Sequence, residues 1–378
     1  MASLGIDAVN IQGGGGLTHL IEVVEHAEPQ NHGFDEVIVF GGKNLDQIGD
    51  HPWLNKQKLS DDRIGVVQQI SWNRWGARKK LGQCDVVFAP GTTFSDRSVR
   101  YVALPQNMLV FDSAESGRFP LGWTRARYKV LRSIQSRSIR NSVGNIFLSN
   151  HAFSSISKFV PSINVKPYAI IHHGVNKRFL ESGRVWDLSY TSGSSKTIEI
   201  LYVSTVNFYK HQWNVVEAVA RLRKNGYPVQ LKIVGTAHPK AMIRLQQSLA
   251  GKQDFVEYVG EVEYTALHQE YVSADIFVFA STCENMPNIL LEAMASGLPI
   301  ACSDYPPMPE FLKKCGTYFD PISVDSIEET LQRVILDDKL RKSCSQKALA
   351  ESKLYSWNKT ADETFQFLSQ CITKVAAK

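Results

Sequence analysis

The sequence has no apolar run approaching the ~20 residues needed to cross a bilayer. Its opening residues, Met1-Ala2-Ser3-Leu4-Gly5-Ile6-Asp7, lack a basic segment followed by a long apolar one. A membrane-spanning chain and a secretory leader are therefore not expected, and a cytoplasmic location is. The six cysteines (Cys84, Cys283, Cys302, Cys315, Cys344, Cys371) are scattered and contain no Cys-x-x-Cys pair. Neither a zinc site nor a disulfide framework follows from them, and reduced thiols suit the same location. The most informative absence is of acid: between Glu115 and Glu181 there is none. Eleven cations occupy that interval, namely Arg118, Arg125, Arg127, Lys129, Arg132, Arg137, Arg140, Lys158, Lys166, Lys177 and Arg178. Such a field attracts phosphates, nucleic acid or an anionic membrane surface. No nucleic-acid module accompanies it, so no nucleic-acid partner is expected. Peripheral contact with the inner face of a membrane, or a phosphate-bearing partner, is the expectation, with Arg125, Lys129 and Arg132 as the candidate patch. A solvated helix face is the plain alternative.

What is present is alternation. At 378 residues the chain fits two ordinary domains better than one. The first segment reads strand (Leu4–Ile11), glycine turn (Gly13–Gly16), helix (Leu17–His26), then a strand over Glu36–Phe40. Short apolar runs follow at Cys84–Ala89, Met108–Phe111, Asn145–Leu148 and Tyr168–Ile171. Strands alternating with helices predict an α/β domain with a doubly wound parallel sheet. Residues 181–199 are polar and rich in Ser and Gly, which reads as a linker. The pattern then restarts with strands at Ile200–Ser204, Gln230–Val234, Phe255–Val259, Asp275–Ala280 and Pro299–Cys302. Helices are expected at Trp213–Lys224, Pro239–Ala250 and Pro287–Ser296, and from about Ser326 to the end. The expected division is a first domain over 1–180, a linker over 181–199, a second domain over 200–355 and a terminal helix over 356–378. Two such domains facing each other would bind ligands in the cleft at the carboxyl ends of their strands.

The segment Ser281-Thr282-Cys283-Glu284-Asn285-Met286-Pro287-Asn288-Ile289-Leu290-Leu291-Glu292-Ala293-Met294-Ala295-Ser296-Gly297 carries the clearest chemistry. It follows an apolar strand, so its first residues lie in a turn at a strand's carboxyl end. Pro287 suits the first position of a helix and Gly297 a left-handed stop. Ile289, Leu290, Ala293 and Met294 form the stripe expected to face the sheet. Asn288 and Glu292 share a face turned toward Glu284 and Asn285. Two carboxylates and a helix N-terminus are thus aimed at one spot, where N–H groups suit a diphosphate and each carboxylate suits a sugar diol.

This segment resembles the signature of the family 4 retaining glycosyltransferases: Glu, seven residues, Glu, then Ala-Met-Ala-Ser-Gly and an apolar strand. Two further matches support it. The glycine turn Gly13–Gly16 stands where the family's glycine-rich turn approaches the donor phosphates. Lys210 stands where the family has a lysine after the first strand of its second domain. The resemblance implies a GT-B fold of two Rossmann-like domains and a hexosyltransferase of bacterial O-antigen or capsule type. The implied donor is a nucleotide-diphosphate sugar, with a saccharide or lipid-linked saccharide as acceptor and no tightly bound cofactor. It implies catalytic roles for Glu284 and Lys210. Donor contacts are expected from Gly15, Gly16, Thr205, Lys210, Glu284, Asn285, Met286, Pro287, Asn288, Ile289 and Glu292. Glu284 would contact the hexose and Glu292 the ribose, while acceptor-side contacts would come from Gln106, Asn107 and Asp112.

Three positions depart from the family pattern. Thr205 stands where an arginine is usual, Gln106 where a histidine often precedes Asn, and His173 and Asn176 replace Asn and Asp in the turn before the linker. His172 and His173 are read as hinge-region packing. With no histidine base, the expected chemistry is front-face transfer in which the leaving phosphate accepts the acceptor's proton. No Asp-x-Asp pair has strand context, so no metal is implied. A nicotinamide-dependent oxidoreductase fits poorly: Thr18 stands where a third glycine would fall, and the second strand ends in Phe40-Gly41-Gly42, not in an acid. A nucleotide-sugar 2-epimerase of the same fold and a non-catalytic sugar-nucleotide or glycan-binding protein are the alternatives.

Overall fold

The structure, a computed structural model, describes residues 2–11, 13–60, 62, 64–119, 122–182 and 196–373. The chain forms two compact units, one of residues 1–174 with 356–378, the other of residues 175–355. Most of the linker read from the sequence, residues 183–195, lies outside the described residues.

The first unit is a seven-stranded parallel sheet. Its strands are β1 (Ala2–Asp7), β2 (Phe34–Gly41), β3 (Leu54–Lys58), β4 (Val86–Ala89), β5 (Tyr101–Ala103), β6 (Gly144–Phe147) and β7 (Tyr168–Ile170), in the order β3-β2-β1-β4-β5-β6-β7. Its helices are α1 (Gly14–Glu25), α2 (Val66–Ser71), α3 (Ala77–Leu81), α4 (Ser113–Ser116), α5 (Trp123–Asn141) and α6 (Asn150–Ser157). Central strands β1 and β4 bury Leu4, Ile6 and all of Val86–Ala89, as a sheet covered on both faces requires. Helix α1 buries Leu17, Leu20, Val23 and Val24, a helical stripe against the sheet. The terminal helix Trp357–Thr373 belongs to this unit: Phe365 meets Phe34 edge-on at 6.0 Å, and Arg100 donates to the Ile372 carbonyl at 2.7 Å.

The second unit begins with α7 (Lys177–Glu181), whose Phe179 is buried against Tyr264 and Tyr271. Its parallel sheet comprises β8 (Ile198–Val203), β9 (Val229–Val234), β10 (Val256–Gly260), β11 (Ile276–Phe279), β12 (Ile300–Ser303) and β13 (Thr317–Phe319), in the order β10-β9-β8-β11-β12-β13. The helices are α8 (Gln212–Lys224), α9 (Pro239–Leu249), α10 (Leu267–Ser273), α11 (Asn288–Ala295), α12 (Met308–Leu312), α13 (Val324–Leu336) and α14 (Asp338–Ser352). In both sheets the strand order reverses beside the first strand, between β1 and β4 and between β8 and β11. Ligands of doubly wound sheets bind at the carboxyl ends of such neighbouring strands. Both units therefore have the α/β architecture expected from the alternation.

Three strands escaped the sequence reading. β3 (LNKQK) is a polar edge strand, and β5 and β13 have three residues each. Conversely, the apolar run Met108–Phe111 is not a strand. Met108–Val110 is a 3-10 turn capped by Asn107, whose Oδ1 accepts from the Leu109 N–H at 3.2 Å. A short, wholly buried apolar run has no period to tell a strand from a helical turn.

Candidate functional site

In the second unit the β8–α8 and β11–α11 loops meet at the strand-order reversal. Val206 continues β8's pairing by one bridge to Ala237, and Asn207 caps the single turn Phe208–Lys210. His211 takes a left-handed conformation (φ 49°) that turns the chain into α8. The buried Tyr202 hydroxyl donates to the Lys210 carbonyl and accepts from the Ala280 N–H at 3.2 Å. The Tyr209 carbonyl accepts from the Thr282 N–H at 2.8 Å, and the Thr282 hydroxyl lies 3.2 Å from His211 Nε2. These bonds hold the two loops together before any side chain of the site is considered.

On that frame the Lys210 ammonium pairs with Glu284 Oε1, and Ser281 Oγ donates to the same oxygen at 2.5 Å. Lys210 is 7 % exposed, its Nζ 4.9 Å from the Phe279 ring centroid and 5.4 Å from that of Tyr209. An ion pair walled by aromatic rings is poorly hydrated, so its field at the loop mouth is screened less than at an open surface. Two candidate residues separated by 74 positions are thus in direct contact.

Helix α11 begins at Asn288. Pro287 is its extended N-cap (φ −81°, ψ 104°), not its first helical residue as expected. At the other end Gly297 (φ 72°) donates to Met294 O at 3.1 Å and Leu298 to Ala293 O at 3.2 Å, the paired bonds of a left-handed stop. The stripe differs from expectation in one place: Leu290, Ala293 and Met294 are buried, but Ile289 is half-buried and Leu291 is covered instead. This helix is enclosed nearly all round, so its apolar residues exceed a single face.

Glu292, 4 % exposed, accepts from the Tyr271 hydroxyl at 2.9 Å. Burial pushes its carboxyl up to about 7, against hydrogen bonds from Tyr271 and Tyr264 and the charge of Arg178, all of which pull it down. Arg178 lies over the Tyr264 ring (5.2 Å), donates to the Tyr264 carbonyl at 3.2 Å and takes Asn176 Oδ1 at 3.0 Å. The two glutamates of the signature therefore sit in different electrostatic settings, one beside an ammonium and one among phenols. Among the other expected donor residues, Asn285, Met286 and Pro287 are buried, while Thr205 is exposed and its hydroxyl meets that of Thr236 at 3.0 Å.

In the first unit the glycine turn follows β1. Gly14 has φ 63°, which favours glycine, and opens α1, with Gly15 and Gly16 in the first turn. A side chain at Gly16 would collide with the Gln106 amide oxygen, so these two candidates are neighbours. Asn107 and Asp112 act as local caps, Asp112 Oδ1 accepting from the Glu115 N–H at 2.9 Å. Of the expected basic patch, Arg125 donates to the Phe119 carbonyl at 2.6 Å and to that of Gly117, and Arg132 donates to Val110 O at 2.6 Å. Both are half-buried struts, and only Lys129 of the three is exposed. His173 is buried, its ring 4.8 Å from that of His19 and 5.5 Å from Trp357. His172 Nδ1 lies 2.9 Å from Leu148 O.

Sequence reasoning missed Tyr271, Tyr264 and Arg178 around Glu292, and Ser281 and Tyr202 around the lysine–glutamate pair. It also missed Asp7, which ends β1. Asp7 accepts from Trp72 Nε1 at 3.1 Å and from the Val9 N–H at 3.3 Å, and burial pushes its carboxyl up to about 6. An acid closing an apolar strand just before a glycine turn is the one signal that could have marked it. Among the described residues no group of three or more His, Cys, Asp and Glu could hold a metal ion. All six cysteines are free thiols and buried. No described helix is long and apolar enough to cross a membrane.

Residues 191–350 match the family described as "Glycosyl transferases group 1". The O-antigen chain mannosyltransferase B of Escherichia coli is 31% identical over 113 residues, covering 30% of this chain and 30% of that protein. An uncharacterised glycosyltransferase of Methanocaldococcus jannaschii is 25% identical over 237 residues, covering 61% of this chain and 57% of that protein. The chain thus spans less than two thirds of the length of these curated relatives. Anabaena HepE, solved in complex with UDP and glucose, superposes with a TM-score of 0.73 at 15% identity, covering 98% of this chain and 100% of that one. Such a likeness at that identity shows the fold. The matched residues hold Lys210, Glu284 and Glu292, so the second unit is similar to that family over the site, and the whole chain is built on the GT-B fold.

Proposed function

We propose that this protein is a retaining hexosyltransferase that moves a sugar from a nucleotide-diphosphate donor to a saccharide or lipid-linked saccharide acceptor. The observation that carries the reading is the Lys210–Glu284 pair at the strand-order reversal of the second sheet, where the β8–α8 loop meets the loop leading to the amino end of α11. An ammonium with remaining N–H donors suits the oxygens of a departing diphosphate, and the adjacent carboxylate suits hexose hydroxyls. The positive end of the α11 dipole adds to the same charge balance. Asn285, Met286, Pro287, Asn288 and Ile289 would line the donor there, with Thr205 beside them. Glu292 would accept hydrogen bonds from the ribose diol. In the first unit, Gly15 and Gly16 are assigned to the donor phosphates, and Gln106, Asn107 and Asp112 to the acceptor.

The reaction follows a front-face course. The bond between the anomeric carbon and the diphosphate oxygen breaks while the acceptor oxygen bonds to the same face of that carbon. The acceptor's proton passes to the leaving phosphate, so no protein base and no metal is required. Catalysis then rests on positioning and on charge held at the leaving group. The O-antigen mannosyltransferase of E. coli and the UDP complex of HepE support a role in surface-polysaccharide assembly with a nucleotide-sugar donor. Contact of the first unit with an anionic membrane surface belongs to the same reading.

The test is a thermal-shift screen of nucleoside diphosphates and nucleotide sugars. It is followed by transfer to lipid-linked saccharides, with the product's anomeric configuration read by NMR. Retention of the donor's configuration is expected. An inverted product refutes the mechanism, conversion of donor to an epimer without acceptor identifies an epimerase, and binding with neither transfer nor hydrolysis identifies a binding protein.

A further inference from the structure

Helix α5 shows solvent a mixed face: the cations Arg127, Lys129, Arg137 and Arg140 alternate with Val130 (58 % exposed) and Ile134 (39 % exposed). Along one flank of this helix runs a groove of about 760 Å³ lined by Arg97, Lys129, Arg132, Arg137, Arg140 and Phe159, together with polar side chains. None of its five cations pairs with a carboxylate among the described residues. The nearest acid in sequence, Asp96, is turned to Ser98 and Arg78.

A helix C-terminus attracts cations by its own dipole, which could account for Arg137 and Arg140. Here that place is filled, because the Lys166 ammonium donates to the carbonyls of Arg140 (2.7 Å) and Ser142 (2.5 Å). Two of the groove's guanidinium groups are also ordered by neighbours. Arg97 Nε donates to Asn141 Oδ1 at 3.0 Å, and Arg132 lies over the Phe159 ring at 4.7 Å with its Nε on Val110 O. The terminal nitrogens of these two arginines have no hydrogen-bond partner among the described residues. Several arginine forks gathered without a counter-charge suit a tetrahedral phosphate with two or more charged oxygens. Arg97 and Arg140 each lie four residues before the start of a strand, β5 and β6, at the opposite end of the sheet from the glycine turn. A group held there is not positioned to react at that turn.

We infer that this groove is a phosphate-binding site, taking a phosphomonoester or diphosphate carried by a lipid headgroup or supplied free in solution. It goes beyond the proposed transfer activity, since it lies in the first unit and is read by binding alone. Val130 and Ile134, four residues apart beside the groove, fit a ligand whose phosphate is attached to a lipid surface.

The full chain is floated with neutral phosphatidylcholine vesicles containing about one lipid in five as phosphatidic acid, or phosphatidylglycerol at matched surface charge, with and without pyrophosphate. Two double variants are compared: Arg137→Gln/Arg140→Gln in the groove, and Arg127→Gln/Lys158→Gln, which removes equal charge outside it. The expected result is preference for phosphatidic acid, competition by pyrophosphate, and about thousandfold weaker binding for the groove variant, which loses charge-assisted hydrogen bonds as well as surface charge, against about thirtyfold for the other. Pyrophosphate binding without vesicle binding, abolished by the groove variant, supports the site with a soluble source. Equal losses in the two variants reduce the groove to general surface charge and overturn the inference, as does the absence of binding to every phosphate probe. Unfolding curves confirm that the variants are native, and Lys129→Gln serves where the groove pair does not fold.

Discussion

Replacing Lys210 and Glu284 singly and together separates their contribution to folding from their contribution to chemistry. Lys210 is nearly buried, Glu284 is mostly so, and Ser281 Oγ also holds the carboxylate. Removing one partner strands the other charge between Phe279, Tyr209 and the loop backbone, at a cost of about 3 kcal/mol. Lys210→Gln and Glu284→Gln should each lower stability by that order, while the double variant, with no stranded charge, should recover about 2 kcal/mol of the summed loss. Turnover should behave in the opposite way. Loss of the ammonium removes stabilisation of leaving-group charge, about 10²-fold in kcat, and loss of the carboxylate removes the grip on the hexose. Pairing the substitutions restores neither. The assay combines urea unfolding with initial transfer rates on all four proteins. A double variant that regains activity along with stability would falsify the catalytic assignment, and near-normal rates in either single variant would remove that residue from the site.

Glu292 gives a pH dependence of definite sign. Its carboxyl is raised from 4.5 to about 7, so the folded state holds a proton that the unfolded chain has released. Stability should fall as pH rises from about 4.5 through 7, by about 3 kcal/mol relative to Glu292→Gln. Tyr271→Phe, which removes a donor to the charged form, should carry the fall to higher pH. Parallel wild-type and Glu292→Gln curves exclude the raised carboxyl. Gly16→Ala should destabilise the first unit by about 1–2 kcal/mol through its collision with the Gln106 amide, and Gly16→Ala/Gln106→Ala should recover most of that. A double variant no better than the single shows that the turn's backbone, and not the neighbouring amide, sets the cost. Initial rates should be unchanged by a divalent-metal chelator, because Lys210 and the α11 terminus are assigned the charge that a metal would supply. Rates that recover only on adding metal contradict that assignment.

The Ser281–Gly297 segment was legible because its turn chemistry is local. An apolar strand, a proline before the helix and a glycine beyond it fix strand, cap and stop within a few residues. Lys210 was legible as a position after a strand, but its contact with Glu284 was not, because that contact depends on β8 and β11 being neighbours in a sheet whose order reverses. The surroundings of Glu292 were hidden for the same reason: Arg178 comes from α7 and Tyr264 and Tyr271 from α10 and the loop before it, and each alone reads as an ordinary buried or surface residue. The acid-free interval was visible as charge. Which cations face outward was not, since Arg125 and Arg132 turn back to carbonyls of preceding loops while Arg137 and Arg140 do not. Strands β3, β5 and β13 are too polar or too short to show a period of two.

The lysine–glutamate contact has a consequence for the order in which ligand groups are accepted. An ammonium already neutralised by a carboxylate attracts a diphosphate weakly, because the arriving anion also meets Glu284. On the proposed function a hexose would change this, since its hydroxyls would donate to the carboxylate and take over part of the lysine's role there, leaving the ammonium for the phosphate oxygens. Donor sugar and leaving group would then be coupled through one hydrogen-bonded pair. A nucleotide sugar should bind more tightly than the nucleoside diphosphate alone, even though the diphosphate carries more charge. In Glu284→Gln the competing carboxylate is gone, so the nucleoside diphosphate should gain about tenfold in affinity while the nucleotide sugar loses affinity, and the order reverses. Calorimetric titration of both ligands into both proteins reads this directly. If the nucleoside diphosphate already binds the wild type more tightly and the substitution weakens both ligands alike, Glu284 acts on the fold of the loop and not on the balance of charge at the leaving group.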